Sequence, residues 1–306
     1  PFDCLYKTDP WANYAFTGVL TWMINSNTLF EARGGYATVE ATLPFVRTEQ
    51  TNVPYMWDGY TGYYFGSGYY ADQWNGRPSL QLSAHLTRFV DDFLGADHEL
   101  KIGAEIQRGA AKWANWKNNT MEWPWYNNNP YYWTAQGYPR EWYGDGYIGF
   151  WALGQNKNDS MVEGDFTRYG GYLQDSLTIK NRLTINLGLR FDGTKGWIPD
   201  IHKGETGSFA SELGALLIEP EIGFNPYGQF DMEGVSNMAD WFNISPRIGL
   251  TYDLFGDGKT AVKFNYGLYR ESIWGSIIYK CHPLYYKEYY FNWWDENGNG
   301  QPDAPS

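Results

Sequence analysis

The chain lacks most of what would make a soluble enzyme or a nucleic-acid binder legible. Basic residues number 23 against 35 acidic ones, a net charge of -12. Nothing in that balance would neutralise phosphates, so nucleic acid is excluded as a partner. There are two cysteines, Cys4 and Cys281, with no C-x-x-C or Cys/His metal spacing. The four histidines, His85, His98, His202 and His282, are scattered. No nucleophile elbow, phosphate loop or paired-carboxylate arrangement is present, so the expectation is that these residues catalyse nothing. No apolar run reaches the ~18 residues of a membrane-spanning helix. The opening "PFDCLYKTDP" lacks the basic start and apolar run of a signal peptide. Either a leader has been removed or the chain begins inside a longer protein.

Aromatic residues are what the chain has: 16 Trp, 26 Tyr and 17 Phe, against a mean hydropathy of -0.55. Period-two alternation is the second signal. In "RLTINLGLRF", Leu183, Ile185, Leu187, Leu189 and Phe191 alternate with Thr184, Asn186, Gly188 and Arg190. That pattern predicts a strand with one apolar and one polar face. Clear alternation recurs in "LQLSAHLT" (80–87), "HELKIGAEIQ" (98–107), "RIGLTYDL" (247–254) and "VKFNYGLY" (262–269). It is weaker in Tyr14–Met23, Leu29–Leu43 and Arg168–Ile179. The sequence therefore predicts eight strands, in hairpins at about 13–43, 80–109, 168–192 and 242–271.

The connections sort by length. Asn25–Asn27, Gly95–Asp97, Lys180–Asn181 and Gly256–Gly258 are short and rich in turn residues. Long segments at about 44–79, 111–165, 193–241 and 273–306 separate or follow the hairpins. In an up-and-down meander, alternate connections lie at opposite ends, so short turns gather at one end and long loops at the other. A transmembrane β-barrel shows this asymmetry, with short periplasmic turns and long extracellular loops. A soluble sandwich has no reason to sort its loops. The charges agree: Lys101, Glu105, Arg190, Asp253 and Lys263 all fall on the polar, lumen-side positions. The fold class expected is all-β, an antiparallel up-and-down transmembrane barrel section facing outer-membrane lipid. The rival is a secreted aromatic-rich β-sheet module or adhesin that binds carbohydrate.

Two loop motifs carry candidate sites. Residues 113–151 hold seven Trp and six Tyr. Trp113, Trp116, Trp123, Trp125, Trp133 and Trp142 are the candidate ligand-binding rings, able to stack on sugars or grip apolar side chains. The same rings could equally form the loop's own core. "DENGNGQPD" places Asp295, Asn297, Asn299 and Asp303 at positions 1, 3, 5 and 9 of a calcium-type loop, with Gly300 at 6. Position 12 is Ser306 instead of a bidentate Glu, and an Asn/Gly-rich surface turn would read the same way. Calcium is the one cofactor this suggests. Topology puts Cys4 and Cys281 at the long-loop end, on opposite flanks of a wide sheet. A bridge needs Cα atoms within about 7 Å, so none is expected.

Three segments, "FLGADHELKIGAEIQRG" (93–109), "YGGYLQDSLTIKNRLTINLGLRFD" (169–192) and "FNISPRIGLTYDLFGDGKTAVKFNYGLYRE" (242–271), resemble the barrel of TonB-dependent outer-membrane receptors. They are most similar to the Oar-like branch, whose members begin with a carboxypeptidase-regulatory-like domain. The resemblance runs intermittently from about Trp11 to Glu271. It implies a 22-stranded barrel, an N-terminal plug domain, a TonB-interacting segment and ligand uptake, and allows a surface lipoprotein partner. The chain departs from the family in having no plug motif, about eight strands, and a loop-like end in "GNGQPDAPS". A middle section of a barrel, with plug and remaining strands elsewhere, is the simplest account. A closed eight-stranded barrel and a structural barrel in a larger assembly are the alternatives.

Overall fold

The computed structural model describes residues 13–43, 55–66, 72–116, 121–151, 157–204, 229–270, 275–285 and 288–299. In chain order the strands are β1 (Tyr14–Asn25), β2 (Thr28–Thr38), β3 (Glu40–Leu43), β4 (Tyr55–Asp58), β5 (Tyr64–Gly66), β6 (Asp72–Gly76), β7 (Ser79–Phe93), β8 (Ala96–Trp116) and β9 (Met121–Trp125). They continue with β10 (Gly146–Trp151), β11 (Met161–Ile179), β12 (Leu183–Ile198), β13 (Ile201–Lys203), β14 (Phe230–Met232), β15 (Val235–Asp253), β16 (Ala261–Gly267) and β17 (Glu288–Trp293).

Eight of them form the expected meander, in the order β1-β2-β7-β8-β11-β12-β15-β16, every neighbouring pair antiparallel. The four short connections therefore share one end. Two turn through residues at positive φ, the two-residue connection Leu94–Gly95 and Lys180–Asn181 within the three-residue connection 180–182, as tight hairpins require. The second hairpin thus turns one residue earlier than its sequence suggested, because Ala96 already pairs with Phe93.

Register lines give each face its character. One row reads Trp22, Phe30, Leu86, Ile102, Leu173, Leu189, Pro246 across seven strands. The row one residue from it, on the opposite face, reads Thr21, Glu31, His85, Gly103, Tyr172, Arg190, Ser245. On β8 the apolar side, Leu100 to Ile106, is exposed while the residues between are half-buried. That apolar stretch is bracketed on its own face by His98 and Arg108. At a rise of about 3.3 Å per residue and a tilt of about 40°, the interval spans roughly 25 Å, the height of a barrel's lipid-facing band. Arg88 and Asp175 on one side, and Lys195 and Asp240 on the other, border the band on neighbouring strands. Phe16, Tyr36, Phe242 and Tyr266 are exposed on this face toward the borders of the band, where ring edges would meet headgroups.

The wall strands outlast their alternation. β8 continues to Trp116, β11 begins at Met161, β12 reaches Ile198 and β15 begins at Val235. Part of what reads as long loop from about 111, 165 and 193–241 is therefore strand. Its pattern is masked because the polar face there is covered by apolar groups. The helix Gly275–Lys280 lies against β8, β11 and β12. It helps bury a cluster of Trp113, Val162, Ile198, Ile201, Ile278 and Leu284. β2 and β7 also continue outward, as β3 and β6, past breaks at Val39 and Arg77–Pro78. Pro78 has no N–H for the ladder. The Arg77 guanidinium closes this kink by donating to the carbonyls of Gly76 (2.8 Å) and Lys112 (2.7 Å).

The helix can sit so close because its seat has a glycine. A Cβ on Gly164 would lie 2.5 Å from the backbone nitrogen of Tyr279. Gly164→Val should thus loosen segment 275–285, by about 1–3 kcal/mol of overpacking. The measurement is trypsin cleavage at the exposed Lys280, which should accelerate in that variant. Gly171→Val, whose Cβ meets nothing nearer than 3.6 Å, is the control. Equal cleavage of both would remove the helix seat from this account.

Candidate functional site

The long connections do not hang separately. β4 and β5 come from the first, β9 and β10 from the second, and β17 follows β16; together they pair as one five-stranded sheet, β17-β10-β9-β4-β5. The β4–β9 pairing is parallel and joins two different loops.

Carboxylates tie this sheet together. Asp58, almost fully buried, closes the β4 turn by accepting the N–H groups of Tyr60 (2.9 Å) and Thr61 (3.2 Å). The same carboxylate reaches the next loop and accepts from Asn127 (2.9 Å) and Asn128 (2.6 Å). Burial opposes its charge, but these four backbone donors hold its pKa below the usual carboxylate value. Asp145 plays the same part between β10 and β17. It accepts from Arg140 Nε at 2.8 Å and from the Asp295 N–H at 2.7 Å. The bond to Asp145 raises the Arg140 pKa above its ordinary value.

One face of the sheet is covered and holds Trp123, Trp125 and Trp293. Trp123 meets Trp293 edge to face at 6.0 Å and Trp125 at 6.4 Å. All three indole N–H groups are buried with no hydrogen-bond acceptor among the described residues. The other face carries Trp57, Tyr147, Tyr290 and Asn292, with the short helix Tyr132–Ala135 set against it. Tyr132 packs on Tyr147 at 5.1 Å and Trp133 on Tyr147 at 5.2 Å. Trp133 donates its indole N–H to Asn292 Oδ1 at 3.1 Å. Tyr290 lies 5.5 Å from Tyr147, and Tyr138 and Tyr143 pack 5.3 and 5.6 Å from Trp133. Tyr290, Tyr138 and Tyr143 each keep a third or more of their surface in solvent.

The six candidate tryptophans therefore part company. Trp113 and Trp116 belong to β8 and not to a loop, and Trp113 packs in the cluster under the helix, 5.6 Å from Tyr285. Trp123 and Trp125 sit on the covered face, and Trp133 is half-buried under tyrosines. Trp142 alone of the six is largely exposed, at 77%. The rings that meet solvent beside Trp133 are tyrosines, and Tyr290 and Asn292 arrive from a separate loop. In the candidate calcium loop, Asp295 Oδ1 and Asn297 Oδ1 both accept the Asn299 N–H at 3.0 Å. Asp295 Oδ2 accepts from Tyr131 Oη at 2.6 Å. These oxygens close a turn and anchor it to the sheet. No group of three or more His, Cys, Asp or Glu suited to a metal occurs among the described residues. Asp303 and Cys4 lie outside them, while Cys281 is a free, exposed thiol.

The polar face of the wall forms a second polar centre. Arg190 donates through Nε to both oxygens of Asp192, each at 2.9 Å, and through Nη2 to Glu105. His85 Nε2 is 2.6 Å from Glu31, the satisfied polar wall residue its position suggests. Tyr172 fills the space above Gly103, where a Cβ would lie 2.6 Å from its ring.

A family model described as an outer membrane beta barrel domain matches residues 5–292. The chain belongs to that family. The barrel domain accordingly resides in the bacterial outer membrane, its apolar face in lipid and its polar face toward the lumen. No curated protein sequence matches it. Among solved structures it is similar to FpvA of P. aeruginosa bound to heterologous pyoverdines, at 13% identity and a TM-score of 0.41, over 78% of this chain and 24% of that one. The ferric citrate transporter FecA in its unliganded form gives 10% and 0.40, over 79% and 25%. The outer membrane transporter YddB from Escherichia coli gives 11% and 0.41, over 83% and 33%. The chain thus spans a quarter to a third of the length of these structures.

Proposed function

We propose that this barrel domain is part of the wall and ligand-binding mouth of a TonB-dependent transporter. A plug domain and further strands would complete it. The observation that supports this most is the open sheet. Among the described residues, β1 pairs only with β2 and β16 only with β15. In hydrocarbon, an edge of unpaired N–H and C=O groups is prohibitive, because no water is there to satisfy them. On this reading the wall closes through strands beyond these eight, and a wider barrel leaves a lumen large enough for a plug and a solute. The carboxylate-tied sheet is the part a ligand outside the cell would meet. No reaction is needed of any residue described, and a surface lipoprotein could cap the same mouth.

Two measurements on the full-length protein in its own bacterium test this. Leu20→Cys on β1 with Phe264→Cys on β16 should form no disulfide under oxidation, since the two strands are separated by the remaining wall. A bond would mean a closed eight-stranded barrel. Cells with and without the gene should then differ in accumulating at least one of a radiolabelled panel of neutral oligosaccharides, oligopeptides and ferric chelates. That difference should vanish with a protonophore. No gene-dependent accumulation of any of them would leave a structural barrel as the better reading.

A further inference from the structure

We infer that the exposed face of the loop sheet is a binding platform for a neutral oligosaccharide. This rests on the reading of that sheet as the ligand-binding mouth and goes further by giving the ligand's class. The platform is built from Tyr138, Tyr143, Tyr147, Tyr290 and Asn292 around Trp133. Three observations carry it.

The first is preorganisation. The exposed tyrosines are held by ring contacts at 5.2–5.6 Å, Tyr138 on Tyr143 included. Tilted and edge-to-face packing of this kind fixes a ring at little remaining entropy cost to binding. The elements that carry the rings are themselves fixed, by Asp145 holding Arg140 at one end of a helical turn and the Asp295 N–H just beyond β17. A surface that merely happened to be aromatic would not need rings from two separate loops locked together.

The second is charge. Arg140, the cation nearest the platform along the chain, is committed to Asp145 at 2.8 Å and also contacts Glu296 at 3.5 Å. The chain as a whole is at -12. Among the described residues, an anionic ligand, whether a phosphate ester, an acidic glycan or a carboxylate-rich ferric chelate, meets no uncommitted cation here. The third is the polar complement. Among the described residues, what the platform offers beside ring faces is uncharged: the hydroxyls of Tyr138 and Tyr143, and the amide N–H₂ of Asn292, whose oxygen is occupied by Trp133. Ring faces meet the C–H faces of pyranoses, and neutral donors meet their hydroxyls. A purely apolar peptide side chain would want a pocket without hydroxyls at its rim, and the platform is an open face.

The test is equilibrium binding, so it does not depend on transport. Purified full-length protein in detergent is titrated calorimetrically with maltohexaose, cellohexaose and mannohexaose, and separately with ferric citrate and a Leu/Phe hexapeptide. At least one hexasaccharide should bind, and the ferric chelate should not. Tyr143→Ala/Tyr290→Ala should weaken that sugar by about tenfold or more, the scale of one lost stacking contact or slightly more. Tyr290→Phe should keep most of the affinity. Tyr138→Ala, at a half-exposed position that threatens folding less, should weaken it as well. Binding of none of the three sugars, or sugar affinity unchanged in the double variant, overturns the platform; so does binding of the peptide or the chelate in their place. Sugar binding without energy-dependent accumulation would keep the platform and sink the uptake reading instead.

Discussion

Ile102→Arg should assemble poorly into the outer membrane, while Lys101→Ala beside it should assemble normally. Ile102 is 57% exposed on the apolar face of β8 and lies midway in the interval between His98 and Arg108. Its register neighbours are Leu86 and Leu173, so no partner for a guanidinium stands within the row. An arginine at the midplane of a barrel's lipid face costs about 2–4 kcal/mol, falling to about 0–1 near the interfaces. The same substitution at Leu82, one residue pair nearer the loop-side boundary than its neighbour Ala84, should cost less. Folded and unfolded populations in lipid vesicles, separated by unheated electrophoresis, measure this. Equal yields of Ile102→Arg and the parent would mean that this face does not see hydrocarbon.

How much of this was readable depends on what covers each segment. Leu183–Phe191 alternates because one face meets lipid and the other a wet lumen, so each side chain reports its side. Ala110 to Asn115 does not alternate, because Ala111 and Trp113 face packed residues and Ala110 and Ala114 are also buried. Composition there reflects packing on both sides, and a strand read as a loop. The loop sheet was invisible for a different reason. Its strands are three to six residues long, too short for a period to show, and their partners are far away in sequence. Asp58 illustrates the limit: its own turn, Tyr60 and Thr61, is local, but Asn127 and Asn128 come from another loop. The aromatic density of 113–151 did mark the right region. It could not separate rings that pack from rings that face solvent, because that division is made by β17, more than a hundred residues on.

Acidification should release the segment 275–285 from the lumen wall before it disturbs the barrel. His282 is 4% exposed, in the turn after the helix Gly275–Lys280. Its Nδ1 accepts the Leu284 N–H at 3.1 Å, which requires the neutral ring with its proton on Nε2. Burial pushes its pKa down from 6.5 to about 4. The docked segment therefore binds that proton more weakly than the released one, so docking is fully stable above pH 6.5. It weakens as pH falls from 6.5 toward 4 and levels off below that. A fall from 6.5 to about 4 corresponds to about 3 kcal/mol, enough to open a local segment while the hydrogen-bonded wall stays closed. Amide exchange in 275–285 should accelerate through this window, with exchange in β8, β11 and β12 lagging. His282→Asn offers a side-chain oxygen to the same N–H without a titrating ring, and its exchange profile should be flat from pH 6.5 to 4. An equally steep acceleration in His282→Asn would place the proton elsewhere. Lys280 and Cys281 are exposed in the docked state, so their charge does not depend on docking. His282 is therefore the group in this segment whose charge must change for the segment to leave.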